Sequence, residues 1–240
     1  VRNHSHNLFY IARSDINGDE FVVKGEQFHH LIHVMRKGLN DRVMFTDGQA
    51  NRIDTIITKI DRTRAWFHIF STKLVDREPG LMLDLAYAPV KGARNELVFE
   101  KCTELGVHKY RLFHSKHSIV RQPGRAKCER FRKIIMGAML QSVRFYLPGL
   151  EVHNNMYDLI AQFDEYDRIV LADMEGEKDV PGNAQHVLFI VGPEGGIHDA
   201  EKSLLIQAGA QLLSIGNTRL RSETAAIAGI TKILTAYTQL

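Results

Sequence analysis

Hydrophobic periodicity changes at Asp76-Arg-Glu-Pro-Gly80, and the change implies a chain of two unlike parts. Before this point, short β-branched or aromatic runs occur at Phe21–Val23, Arg42–Thr46, Arg52–Ile60 and Ala65–Ser71, separated by Asn-Gly, Asp-Gly and Asp-Arg-Thr turn signals. One helical pattern, Glu26–Lys37, places Phe28, Leu31, Ile32 and Met35 on a common face. Short strands plus one helix predict a small barrel-like domain over residues 1–75. After the break, strands alternate with helices. Strands are expected at Leu81–Ala88, Tyr110–Phe113, Arg168–Ala172, Val187–Val191 and Gln211–Ile215. Helices are expected at Arg94–Leu105, Ala126–Val143, Asp199–Ala208 and Ser222–Tyr237. That alternation predicts an α/β layer with a mostly parallel sheet over residues 81–240.

Composition narrows the class. With 44% hydrophobic and 25% charged residues in 240, the chain is neither a disordered tail nor a collagen-like or disulfide scaffold. Its longest apolar runs, Leu8–Ala12 and Val187–Val191, fall far short of the roughly 20 residues that cross a bilayer. A soluble, membrane-free, cytoplasmic protein is expected. Cys102 and Cys128 fit no metal or redox spacing. His29 and His33 have the i, i+4 spacing of a metal pair, but no HExxH motif or third ligand accompanies them, so no metal centre is expected.

Charge is unevenly distributed. Lys109 to Arg144 carries ten Lys/Arg against Glu129 alone, whereas Phe145 to Glu201 carries twelve acidic residues against two basic ones. The basic block suits a polyanion, although a solvated helix face would look the same. Arg36, Lys37, Lys91, Arg94, Arg121, Arg125, Lys133 and Arg144 are the candidate contacts to the phosphates of such a polyanion.

Two loops carry the chemistry. Val191-Gly-Pro-Glu-Gly-Gly-Ile197 follows an apolar strand and precedes a helix, where open α/β sheets bind ligands. It is neither a phosphate-cradling P-loop nor a dinucleotide fingerprint. Ser214-Ile-Gly-Asn-Thr-Arg-Leu-Arg-Ser-Glu-Thr-Ala225 repeats the same topology, with Ser222 as an expected N-cap. Both are expected to converge on one crevice.

These segments resemble the signature of the RsmE family, 16S ribosomal RNA uridine-N3 methyltransferases of the SPOUT superfamily. The resemblance rests on Gly192-Pro-Glu-Gly-Gly196, Leu213-Ser-Ile-Gly216 and Leu220-Arg-Ser-Glu-Thr-Ala225. Upstream it extends to His30-Leu31, Val34-Met-Arg36, Asp47-Gly48, Lys101, Glu104-Leu-Gly-Val107, Gln141-Ser142, Arg144 and Pro148. It implies a PUA-like barrel, a trefoil-knotted α/β domain, S-adenosylmethionine as cofactor, the 30S subunit or its 16S rRNA as partner, and a homodimer. By the same resemblance the cofactor site comprises Gly192, Pro193, Glu194, Gly195, Gly196, Ile215, Gly216, Leu220, Arg221 and Thr224; Asp173, ending the expected strand Ile169–Ala172, is a further cofactor candidate. The chain departs from the family pattern at Thr218-Arg219, at His198 in place of a capping Ser, and at Ser115-Lys116-His117. Two alternatives stay open: a non-catalytic RNA-binding protein of the same fold, and a methyltransferase for another RNA.

Uridine N3 is a poor nucleophile until its proton leaves, so a site must supply a base or a fixed cation near the uracil oxygens. Arg221 is the candidate for that electrostatic role. Glu194 and Glu223 are candidate bases, with loop-holding as their competing role.

Overall fold

The computed structural model describes residues 7–75, 80–120, 123–180 and 182–238. By contacts the chain divides into two compact units, residues 1–77 with 139–147, and residues 78–138 with 148–240. The predicted boundary at Asp76–Pro79 lies outside the described residues.

In the first unit, strands β1 (Leu8–Tyr10), β2 (Glu20–Lys24), β3 (Arg42–Thr46), β4 (Asn51–Ile60) and β5 (Arg64–Leu74) form one curled sheet in the order β1-β3-β4-β5-β2. All pairings are antiparallel except β1 with β3. Alternation sets which face is buried: Phe21 and Val23 point inward from β2, Ile53 and Ile57 from β4, Ala65 and Phe67 from β5. Register shifts between Asp54 and Thr55 and between Ile57 and Lys59 add the twist that curls the sheet. Helix α1 (Gly25–His29) covers the core with Phe28, then widens into a π-helical turn, His30–Val34. The helix expected to reach Lys37 therefore stops short, because Arg36 adopts a positive φ of 55°. Segment 145–147 docks on the turn after β3: the Ala50 N–H donates to Phe145 O at 2.9 Å and the Leu147 N–H to Gly48 O at 2.9 Å. Gly48, with φ of 76°, lets that segment approach, since a Cβ there would lie 2.9 Å from Leu147 Cβ. Strand β1 carried no periodic signal, being only three residues long.

The second unit holds a six-stranded, wholly parallel sheet, ordered β11-β9-β10-β6-β7-β8. Its strands are β6 (Met82–Tyr87), β7 (Lys109–Leu112), β8 (Gly149–Val152), β9 (Arg168–Glu177), β10 (His186–Val191) and β11 (Gln211–Leu213). Helices α2 (Arg94–Glu104), α3 (Arg125–Gln141), α4 (Met156–Ile160), α5 (Asp199–Gln207) and α6 (Ser222–Thr238) connect or cover them. The central strands read as continuous apolar runs because both faces are covered: Leu83, Leu85, Val187, Leu188, Phe189 and Ile190 are fully buried. Strand β8 and helix α4 were not expected; Gly149 and a five-residue helix leave too short a pattern to detect. Helix α6 lies directly on β10 at Gly229.

Both cysteines are free and buried. Burial pushes the Cys102 thiol well above its ordinary range, and the Cys128 Sγ points at Pro123 O at 3.5 Å. Neither presents an accessible thiolate. Ellman's reagent should label no cysteine in the native protein and both after denaturation; rapid native labelling of Cys102 would contradict its burial. Among the described residues no helix is long and apolar enough to cross a membrane.

Candidate active site

Three segments meet at the carboxyl ends of β9, β10 and β11. After β10, the loop Gly192–Gly196 closes a tight turn, the Gly196 N–H donating to Pro193 O at 2.9 Å with Gly196 at φ 74°. Gly192 is closely packed: a Cβ there would fall 3.0 Å from the Ile197 side chain, which would have to give by a few tenths of an ångström. After β11, residues 214–221 form the second loop. Arg219 Nη2 donates to Glu194 O at 3.3 Å and ties the two loops together. Arg219, a departure from the family pattern, thus has a structural task.

The third segment is an arch in β9. Leu212 pairs with Leu171, yet Leu213 pairs with Glu177, so residues 172–176 leave the ladder and rejoin it. Asp173 therefore lies inside a longer strand, not at its end as expected. The arch leans over the cavity, with Ala172, Asp173, Met174 and Glu175 in its wall.

The half-open cavity measures about 700 Å³ and falls within the range of small-molecule sites, roughly 300–1,000 Å³. Of the residues the sequence singled out, Asp173, Gly192, Pro193, Glu194, Gly196, Ile215, Gly216, Leu220 and Arg221 line it. Gly195, Glu223 and Thr224 are not in its wall. Gly195 faces away, its absent Cβ lying 3.2 Å from His117 Cβ. The expected convergence of the two loops is met.

Charge at the cavity is organised around cations. Arg94, expected on the RNA surface, lines the cavity instead, with its Nη1 4.0 Å from Glu194 Oε1 and its Nε 3.8 Å from Glu223 Oε1. The buried Asn95 amide pins the preceding loop, accepting from Val90 N at 2.8 Å and donating to Val90 O at 2.7 Å. Glu223 is 7% exposed, and its Oε2 has no hydrogen-bond partner. The buried Tyr87 hydroxyl is likewise unpartnered; burial, and then the charges of Glu223 and Glu194, push its pKa up, so it stays a donor at neutral pH. Both atoms are buried, and neither residue is part of the cavity wall.

Lys202 had no motif signal. Its Nζ meets Asp173 Oδ2 at 2.8 Å and Glu175 Oε2 at 2.9 Å. Burial works against its charge, but these carboxylates more than offset it and raise its pKa. The Arg221 side chain is exposed on the cavity rim and forms no hydrogen bond or ion pair with any described residue. The residue flanks α6, its carbonyl accepting from the Ala225 N–H at 2.8 Å; Ser222, the expected cap, is already helical.

His198 caps α5 after all, its Nδ1 accepting from the Ala200 N–H at 3.2 Å. Glu201 accepts from Ser115 Oγ at 2.8 Å and Lys116 N at 3.0 Å. Two departures from the family pattern, His117 and His198, meet edge to face at 5.1 Å.

The other RNA candidates are scattered. Arg36, Lys91 and Lys133 are exposed, Arg125 is exposed but paired with Glu129 at 3.0 Å, and Lys37 reaches Arg42 O at 3.4 Å. Arg144 is a correction: at 8% exposure it is buried and presents no cationic surface. Arg121 lies outside the described residues.

The chain carries a parallel α/β unit with a cavity at the strand carboxyl ends and a second unit built on a curled β-sheet. A family model described as an RNA methyltransferase domain matches residues 77–234, and one described as an RNA methyltransferase PUA domain matches residues 23–70. The chain belongs to this RNA methyltransferase family, and within it to the group of ribosomal RNA small subunit methyltransferase E. It is 25% identical to that protein of Bacillus subtilis over 227 residues, 89% of each chain. It is 32% identical to that of Mesomycoplasma hyopneumoniae over 164 residues, 66% of this chain and 72% of the relative. The fold is similar to a probable rRNA methyltransferase from Porphyromonas gingivalis, with a TM-score of 0.87, 27% identity, and 97% of this chain and 99% of that one covered. It is also similar to a Neisseria gonorrhoeae ribosomal RNA small subunit methyltransferase E bound to S-adenosyl methionine, with a TM-score of 0.82, 25% identity, and 95% and 97% covered.

Proposed function

We propose that this chain transfers a methyl group from S-adenosylmethionine to N3 of a uridine in the 16S rRNA of the small ribosomal subunit. The observation that carries the reading is the shared cavity of the two glycine-containing loops, with an unpaired arginine on its rim. The Neisseria relative holds the same donor.

When bound, the donor supplies an electrophilic methyl on a sulfonium. Gly192, Gly196, Ile215, Gly216 and Leu220 would hold its adenosine part through backbone groups, and Asp173 would hold hydroxyls. Arg221 acts on the acceptor. As N3 loses its proton, negative charge spreads to the two uracil carbonyl oxygens, and a guanidinium can donate to them from a fixed position. Glu194 is the better placed candidate to receive the proton, since Glu223 is buried; both also hold Arg94. Methyl transfer then leaves S-adenosylhomocysteine, N3-methyluridine and one proton.

The first unit, residues 1–75 in the sequence reading, would bind rRNA through Arg36 and Lys37, with Lys91, Arg125 and Lys133 contacting phosphates from the second. A homodimer, a trefoil knot and a cytoplasmic location belong to the same proposal.

Calorimetric titration should find one S-adenosylmethionine site per chain. At about a hundredfold excess over Kd the donor should raise the melting temperature by roughly 5–10 °C. No heat and no shift would remove the enzyme reading. Mapping N3-methyluridine in small-subunit RNA with and without the gene tests the substrate. A mark retained in the deletion strain would overturn the assigned nucleotide.

A further inference from the structure

The opposite end of the parallel sheet carries a buried polar cluster that methyl transfer does not use. Asp84 on β6 is fully buried. Because β10, β6 and β7 are neighbours, His186 opening β10 and His108 just before β7 both reach it. His108 Nδ1 lies 3.1 Å from Asp84 Oδ1, and His186 Nε2 lies 3.4 Å from Asp84 Oδ2. One ligand atom from each residue stands within 4.8 Å of the other two.

The hydrogen position on His186 decides what this cluster is for. Its Nδ1 is 2.8 Å from the Glu165 carbonyl oxygen, which can only accept, so Nδ1 carries the hydrogen. The flipped ring would place a carbon at that distance, too close for the contact. In the neutral imidazole, Nε2 then holds a lone pair, and that lone pair faces a carboxylate oxygen. Nε2 is buried and has no hydrogen-bond partner. A lone pair and a carboxylate oxygen held 3.4 Å apart call for positive charge between them, which a metal ion or a second ring proton supplies. A histidine whose second nitrogen is fixed by a backbone carbonyl is the usual geometry of a metal ligand.

Surrounding groups agree. The Tyr166 hydroxyl donates to Asp84 Oδ2 at 2.6 Å and orients the carboxylate. Arg111 Nε is 3.8 Å from the same oxygen, but the guanidinium is engaged by Tyr166, Glu151 and Glu165. Lys109 also pairs with Glu151, at 3.3 Å. Within this network three carboxylates face two cations, so one negative charge is left over. The His186 Nε2–Asp84 Oδ2 distance of 3.4 Å matches the edge of a zinc tetrahedron, about 3.3–3.6 Å for metal–ligand bonds near 2.0–2.2 Å.

We propose that Asp84, His108 and His186 bind one zinc-type divalent cation, with a fourth position open to water. The histidine edges, 17% and 19% exposed, provide the entry path. The ion clamps β10, β6 and β7 together at the end remote from the donor cavity, so its role is to stabilise the second unit.

The full chain, stripped with EDTA, should take up one Zn²⁺ per chain in competition with a chromophoric chelator. Co²⁺ in its place should show the visible absorption of a four-coordinate site. H108Q and H186Q should each weaken zinc binding at least about a hundredfold. Joint replacement of His4, His6, His29 and His33 by alanine should leave it unchanged. The proposal is overturned by absence of competitive binding in the wild-type chain, or by binding that follows the four replaced histidines. Should H108Q and H186Q fail to fold, zinc X-ray absorption of the wild-type complex decides. Scattering from two imidazoles supports the site, and none overturns it.

Discussion

Arg221→Ala should lower kcat for methyl transfer to 30S particles about a hundred- to thousandfold, the cost of removing one fixed oxyanion donor. The side chain is exposed on the cavity rim and pairs with no described residue, so its loss leaves no buried charge and no broken ion pair. Stability should stay within about 0.5 kcal/mol of wild type. Calorimetric affinity for S-adenosylmethionine should fall little, because the effect falls on the acceptor. Arg221→Lys keeps the charge but loses the planar fork, and should recover only part of the rate. A loss of less than tenfold in single-turnover kinetics would show that Arg221 does not stabilise the developing anion.

Gly176→Ala should destabilise the second unit by about 3 kcal/mol or more and abolish donor binding. A Cβ there would lie 2.5 Å from Leu212 C, 2.5 Å from Leu213 N and 2.7 Å from Leu213 C. Backbone cannot rotate away as a side chain can. The only relief is to push β11 off β9, which opens the arch that walls the cavity and disturbs the Ser214 N–H bond to Glu177 O at 2.8 Å. Gly137→Ala is the control. Gly137 lies within α3 with open space around it, so alanine there should stabilise by about 0.5–1 kcal/mol through helix propensity. Urea denaturation followed by far-UV circular dichroism reads both. Equal stability of Gly176→Ala and wild type would mean that the arch yields freely and does not shape the cavity.

Legibility differed from element to element. The buried strands β6 and β10 and the helices α2, α3, α5 and α6 stood out because each is an uninterrupted apolar run or a face repeated over several turns. Strands β1 and β8 and helix α4, of three to five residues, carry too few positions for a period to be measured. The helix after β2 ended early because Arg36 turns left-handed, which side-chain patterning does not encode. Glycine-rich loops following apolar strands pointed to the cavity with most of its wall. Lys202 and Arg94 were missed there because an isolated lysine on a helix, or an arginine in a basic segment, reads as solvated surface. Arg144 erred in the opposite direction: its basic neighbourhood suggested exposure that packing denies.

Local chemistry written along the chain, in runs of apolar residues and in the glycines of two loops, was enough to specify strands, helices and the bends that receive a ligand. Which bends share a cavity, which acids face Arg94, and why His186 meets Asp84 depend on strand order. Parallel strands distant in sequence become neighbours at one spacing of about 4.8 Å, and no local pattern records which strand lies beside which.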